Sequence, residues 1–164
     1  MDKDKKFLVW FAVIIILVAV ILMLTKVGSE DKEFVPRDEF SSQQDYLDYM
    51  DEYNEAKKLD TYGGKTPEET LDMFIEALKA GDTDLASKYF VIDKQKQIRE
   101  ELAIGKENGV LELLVGDLEK EKSKHCYEYD NSCEFTTFDE NDVSEFSFML
   151  IFNKETKVWK IESL

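Results

Sequence analysis

The residue types best able to do chemistry sit close together. The stretch HCYEYDNSC, His125 to Cys133, holds the one histidine and both cysteines of the chain. Metal ligation, catalysis and a covalent staple are the chemistries such a set allows. A structural zinc site takes four ligands, and a C-x6-C pair with one neighbouring histidine does not match its usual spacing. The C-x-x-C spacing of thiol–disulfide exchange is absent. A staple is the better reading in an oxidising compartment, where two cysteines pair. A hairpin turning at Tyr129–Asp130 sets Cys126 and Cys133 opposite each other, within reach of a disulfide. Closing so short a loop is worth about 2–3 kcal/mol. In a reducing compartment the same residues are two free thiols. Tyr127 and Tyr129, on a strand, read as packing aromatics.

The chemistry of this stretch therefore depends on its side of a membrane. FLVWFAVIIILVAVILML, Phe7 to Leu24, is a run of 18 uncharged residues. As a helix it covers about 27 Å, close to the roughly 30 Å of a hydrocarbon core. Thr25 and a snorkelling Lys26 make up the difference. A cleaved signal peptide has a shorter apolar region, about 7–15 residues, and small residues after it. LTKVGS is a poor match to that, and no cysteine follows for lipid attachment. The run reads as an uncleaved single-pass anchor. Lys3, Lys5 and Lys6 cluster before it, whereas Lys26, Lys32 and Arg37 are spread out behind it. That slight bias, together with the signal-anchor layout of a six-residue tail before a long C-terminal domain, places the N-terminus in the cytoplasm and the rest outside the cell membrane. The expected organisation is a cytoplasmic tail (1–6), a transmembrane anchor (7–25), an acidic linker with a juxtamembrane helix (26–65) and a folded extracytoplasmic domain (66–164).

The part beyond the anchor is strongly acidic. Residues 27–164 hold 17 basic and 34 acidic side chains, and the whole chain carries −15. Such a surface repels phosphate backbones, which excludes nucleic acid as a partner. It is also repelled by anionic lipid.

Local signals mark the elements that must position any site. Val27 to Gln44 mixes charge, Ser, Gly and Pro and reads as a linker. DYLDYMDEYNEAKKLD then places Tyr46, Leu47, Met50, Tyr53, Ala56 and Leu59 on one narrow helical stripe, a surface for its own domain, a protein partner or self-association. TYGGK breaks the chain before the domain. TPEETLDMFIEALKAGD predicts a helix with Thr66 as N-cap, Pro67 at the first position and Glu69 completing a capping box. Its inner stripe is Leu71, Phe74, Ile75 and Leu78, and Gly81 suits the left-handed position after it. Asp82 is the expected cap of a short helix with Leu85, Ala86, Tyr89 and Phe90 inward. Asp93 is the expected cap of a third, with Ile98 and Leu102 inward and Gly105 at its end. GVLELLVGDLEKEK predicts a fourth, with Val110, Leu111, Leu114 and Leu118 in one stripe.

After Lys122 the period becomes two. KHCYEY and CEFTTF predict a strand pair. SEFSFMLIF puts Phe146, Phe148, Leu150 and Phe152 on one face. If a four-residue loop closes the last hairpin, Phe152 meets Trp159 and Leu150 meets Ile161. Helices first and strands afterwards predict an α+β domain, with helices packed on one face of an antiparallel sheet.

Two stretches carry a family resemblance: TPEETLDMFIEALKAGDTDLASKYF, Thr66 to Phe90, and the closing FNKETKVWKIESL. They resemble the NTF2-like (cystatin-like α+β cone) superfamily, closest to its small bacterial membrane-anchored members of unknown function. The resemblance covers residues 66–164 and implies a curved antiparallel sheet wrapped on a helix around a conical pocket. Phe74, Tyr89, Phe146, Phe148, Phe152 and Trp159 are then the candidate pocket or core lining. An enzyme of this fold needs an acid or base in the cone, and no such constellation is readable here. Neither a cofactor nor a metal is expected. The expected function is a membrane-anchored binding or scaffold module with an unidentified ligand. The alternatives are a bitopic component of a secretion or envelope assembly, whose layout is similar, and a small-molecule enzyme of the cone pocket.

Overall fold

A computed structural model describes residues 34, 36–37, 39–120, 122–129, 131–141 and 143–164. The anchor expected at residues 7–25 lies outside them. Among the described residues no helix is long and apolar enough to cross a membrane.

Residues Phe34–Leu164 form one compact unit. Its described elements are five helices and four strands: α1 (Gln43–Leu59), α2 (Pro67–Lys79), α3 (Thr83–Lys88), α4 (Gln95–Glu107), α5 (Leu111–Glu119), β1 (Lys122–Tyr127), β2 (Ser132–Phe138), β3 (Ser144–Asn153) and β4 (Val158–Ser163). The strands form an open antiparallel meander in chain order. The fold class is the α+β arrangement expected from the sequence.

The helix signals act largely as read. Thr66 Oγ1 accepts from the Glu69 amide at 3.1 Å and Pro67 opens α2. The Glu69 carboxylate turns back one residue further than a capping box requires, accepting from the Lys65 amide at 2.6 Å. Gly81 takes φ +66° behind α2, and Asp82 caps α3 through the Leu85 amide at 2.9 Å. Two expectations give way. Asp93 does not cap α4, whose cap position is Lys94, without a side-chain bond. Gly105 does not end α4: the helix runs to Glu107, and Gly109, at φ +70°, makes the turn. In α5 the buried positions are Leu111, Val115 and Leu118, while Val110 is exposed. Leu111, Val115 and Leu118 stand at i, i+4 and i+7, so the buried face includes Val115, which the expected stripe left out.

Described residues of the expected linker pack against α1. Phe34 is buried against Tyr49 and Tyr53, both at 5.2 Å between ring centres. Arg37 bridges Asp45 at 2.7 Å and Glu52 at 3.3 Å. The half-buried face of α1 is therefore Tyr49, Met50, Tyr53 and Ala56, while Tyr46, Leu47 and Leu59 of the expected stripe are exposed.

The last hairpin has the expected register, Phe152 opposite Trp159 and Leu150 opposite Ile161, closed by residues 154–157. The core gathers Phe74, Phe90, Leu118, Phe148, Leu150 and Ile161, all essentially inaccessible to solvent. The outer edge of β4 is covered. Trp159 N–H donates to Gly64 O, Ile161 N–H to Tyr89 O, and Val91 N–H to Ile161 O, at 2.8–3.0 Å. Covering an edge in this way removes a template for aggregation. The close pass explains TYGGK: a Cβ on Gly63, at φ +142°, would stand 2.2 Å from the Trp159 carbonyl oxygen. The opposite edge, β1, ends the sheet.

Candidate functional site

Cys126 and Cys133 are directly opposite in the β1–β2 register and joined by a disulfide, with Cα atoms 4.0 Å apart. So short a separation marks a pair whose backbone groups do not bond each other. The amides and carbonyls of Lys122, Lys124 and Cys126 therefore point off the sheet edge. Lys124 is tied to Glu68 of α2. Lysines along an open edge oppose pairing with another strand. The other residues of the HCYEYDNSC stretch do not converge. His125 lies on Tyr127 at 4.6 Å between ring centres, the Tyr127 hydroxyl donates to Glu134 at 3.2 Å, and Tyr129 is almost fully exposed. Among the described residues no three His, Cys, Asp or Glu side chains form a group able to hold a metal.

A buried lysine is the second chemical feature. Lys160 Nζ, on β4, donates to the Asp60 carboxylate at 2.8 Å, to Tyr62 O at 2.9 Å and to Lys88 O at 2.5 Å. The amide of Gln95 adds bonds to Asp60 at 3.0 Å and to Phe90 O at 3.0 Å. Burial pushes the Lys160 ammonium down to about 8, against the opposing pull of Asp60. A lysine with a lowered pKa is a known nucleophile or base. Here all three donors have acceptors, and Lys160 lines neither groove on the surface. Its role is to clamp β4 to the end of α1 and to the α3–α4 connection.

An apolar-floored groove of about 430 Å³ lies between α4, α5 and the end of β4. Phe90, Leu102 and Leu111 are its buried floor, and Ile98, Val110 and Leu114 its sides. α4 and α5 come together at Gly105, where a Cβ would stand 3.4 Å from the Leu111 side chain. Glycine thus leaves one methyl more of space there. The rim is Lys94, Gln97, Glu101 and Glu162. Lys94 Nζ is held by the Glu162 carboxylate at 2.8 Å and by the Glu162 carbonyl. The Gln97 amide donates to Glu101 at 2.8 Å. The volume lies in the range of ligand sites, and the mostly aliphatic lining suits apolar surface that must leave water. A second, wider trough, between α1 and the β3–β4 turn, is lined mainly by charged side chains, among them Asp51, Lys57 and Glu155.

The residues expected as pocket or core lining fall mainly in or against the core. Phe74, Tyr89 and Phe148 are in the core; Phe146 and Trp159 are half-buried against it. Phe152 packs on Trp159 at 5.5 Å and borders the α1 trough. None of the six lines the α4–α5 groove. Aromatic rings fill the space between α2 and the sheet, with Phe74 on Phe90 at 5.4 Å and Phe135 stacked on Phe148 at 5.2 Å. The groove had no sequence signal: Gly105 reads as the end of its helix, and Ile98, Leu102, Val110, Leu111 and Leu114 read as inward-facing stripes. The Lys160 clamp had none, because strand alternation assigns Lys160 to solvent. No protein-family model, no curated protein and no solved structure matches this chain.

Proposed function

We propose that this chain is a membrane-anchored, extracytoplasmic binding module, tethered through Phe7–Leu24, that engages a partner through the α4–α5 groove. The observation that carries the reading is an apolar-floored groove between two helices that also bear exposed apolar side chains, Ile104 on α4 and Leu113 on α5. Exposed apolar side chains together with an apolar groove on a domain this acidic point to an interaction site. Helices followed by a four-stranded meander, closed by the W-K-I strand, support an NTF2-like arrangement. With the space under the sheet filled by aromatic rings, the ligand surface of this member lies outside the cone. A catalytic role would need an acid, base or nucleophile aimed into a cavity, and the clamped Lys160 does not serve.

The test is a photo-crosslinking amino acid placed at Leu113 in the full chain, in its native membrane. A discrete adduct is expected there and not from a control position at Lys154. No adduct at Leu113, or equal adducts at both positions, would overturn the reading.

A further inference from the structure

We infer that the α4–α5 groove receives a basic amphipathic helix of a partner protein. This rests on the binding-module reading and names the chemistry of the partner. The two groove helices also expose apolar side chains: Ile104 is 59 %, Val110 44 % and Leu113 70 % exposed. A groove between two helices with apolar flanks fits the apolar face of a third helix, anchored at i, i+3, i+4 and i+7. α4 has 13 residues, or about 20 Å, which matches about four turns of a docked helix.

Charge selects the sign of that helix. α5 carries Glu112, Asp117 and Glu119 and no basic residue. On α4 two of the three cations are engaged away from the groove: Arg99 lies 3.9 Å from Asp84, and Lys106 Nζ donates to Gly81 O at 2.7 Å. The one rim cation, Lys94, is neutralised by Glu162. The groove rim is left with Glu101, within a region of 17 basic and 34 acidic residues. Lysines or arginines flanking an apolar stripe complement this field and speed encounter. A second copy of the same groove brings like charges together, and an anionic lipid surface is repelled.

The experiment uses the full chain in zwitterionic nanodiscs, with empty nanodiscs as the blank. Two synthetic helical peptides are titrated by fluorescence anisotropy. Both carry leucines along one face; one has lysines elsewhere, the other glutamates. The lysine peptide is expected to bind saturably and at least tenfold more tightly than the glutamate peptide. Ile104→Ser with Leu113→Ser should weaken it at least tenfold without shifting Tm, Glu101→Gln should weaken it several-fold, and added salt should weaken it further. Equal binding of both peptides, no saturable binding, or binding indifferent to the serine variants would overturn the inference. So would a concentration-dependent dimer of the chain abolished by the same serines, which would make the occupant a second copy. An adduct at Leu113 in membranes together with failure of the lysine peptide would sink the helix proposal alone. Absence of both would sink the binding-module reading as well.

Discussion

Replacing Lys160 by methionine tests the logic of the buried clamp. Methionine keeps the apolar stem and removes the ammonium. What remains is a buried Asp60 carboxylate, with donors only from the Gln95 amide and the Tyr62 amide, and a Tyr62 carbonyl without the Lys160 donor. Breaking a buried ion pair on one side costs about 3–5 kcal/mol, because the survivor is an uncompensated charge. Against a total stability of about 5–15 kcal/mol, that is a large fraction. Asp60→Asn combined with Lys160→Met removes both charges and keeps Gln95 as a partner. The double variant should therefore lose less than Lys160→Met alone, by at least about 2 kcal/mol, a coupling no pair of independent sites shows. The assay is urea unfolding of the full chain in detergent, followed by the fluorescence of Trp159, which is half-buried against the core. pH adds a second signature. The folded Lys160 is pushed down to about 8 by burial, below an unfolded value of about 10.4. Between these values the unfolded chain holds a proton that the folded chain has released, so stability rises with pH across that window. The rise is on the order of 3 kcal/mol and is absent below pH 8. Burial raises the phenols of Tyr53 and Tyr89, so above pH 10 their ionisation works against folding. The Lys160→Met chain should lack the rise. A Lys160→Met variant within 1 kcal/mol of the parent, or strict additivity in the double variant, would refute the reasoning.

Three further outcomes are expected. Cys126→Ser with Cys133→Ser, or reduction of the parent, should lower stability by about 2.5 kcal/mol, from loop closure in the unfolded chain; an unchanged urea midpoint would show that the bond does not constrain that state. Gly63→Ala should cost at least about 2 kcal/mol, because the left-handed backbone and the Trp159 carbonyl both exclude a Cβ; amide exchange should quicken at Trp159 and Ile161, and unaltered exchange there would contradict the edge-cover account. Thr66→Ala should cost about 1 kcal/mol through loss of the α2 cap, with Thr66→Ser near the parent; equal losses for both would assign the cost to packing.

Local rules were the legible part of this chain. Thr66, Pro67, Gly81 and Asp82 act within a turn of their own position, so their types alone place α2 and α3. Strand alternation and a four-residue loop set the register of Phe152 with Trp159. The same register logic set Cys126 opposite Cys133. What stayed hidden depends on distant partners. Phe34 sits in a stretch without apolar period and is buried because two tyrosines of α1 meet it. Lys160 faces what would be solvent in an isolated hairpin, and Asp60, a hundred residues earlier, turns that face into an interior. Gly105 reads as a helix stop by its identity, yet α4 runs on past it to Glu107. The groove is a product of helix packing, so no single stretch announces it.

A partner can reach the groove as proposed only if the Phe34–Leu164 unit stands outside the membrane. Intact cells treated with a membrane-impermeant maleimide, with and without prior reduction, test this directly by mass shift. Labelling that requires reduction is the expected result, from an external Cys126–Cys133 disulfide. Protection in intact cells under both conditions, with full labelling after lysis without reductant, would place the unit in the cytoplasm as free thiols and contradict the tethered, stapled module.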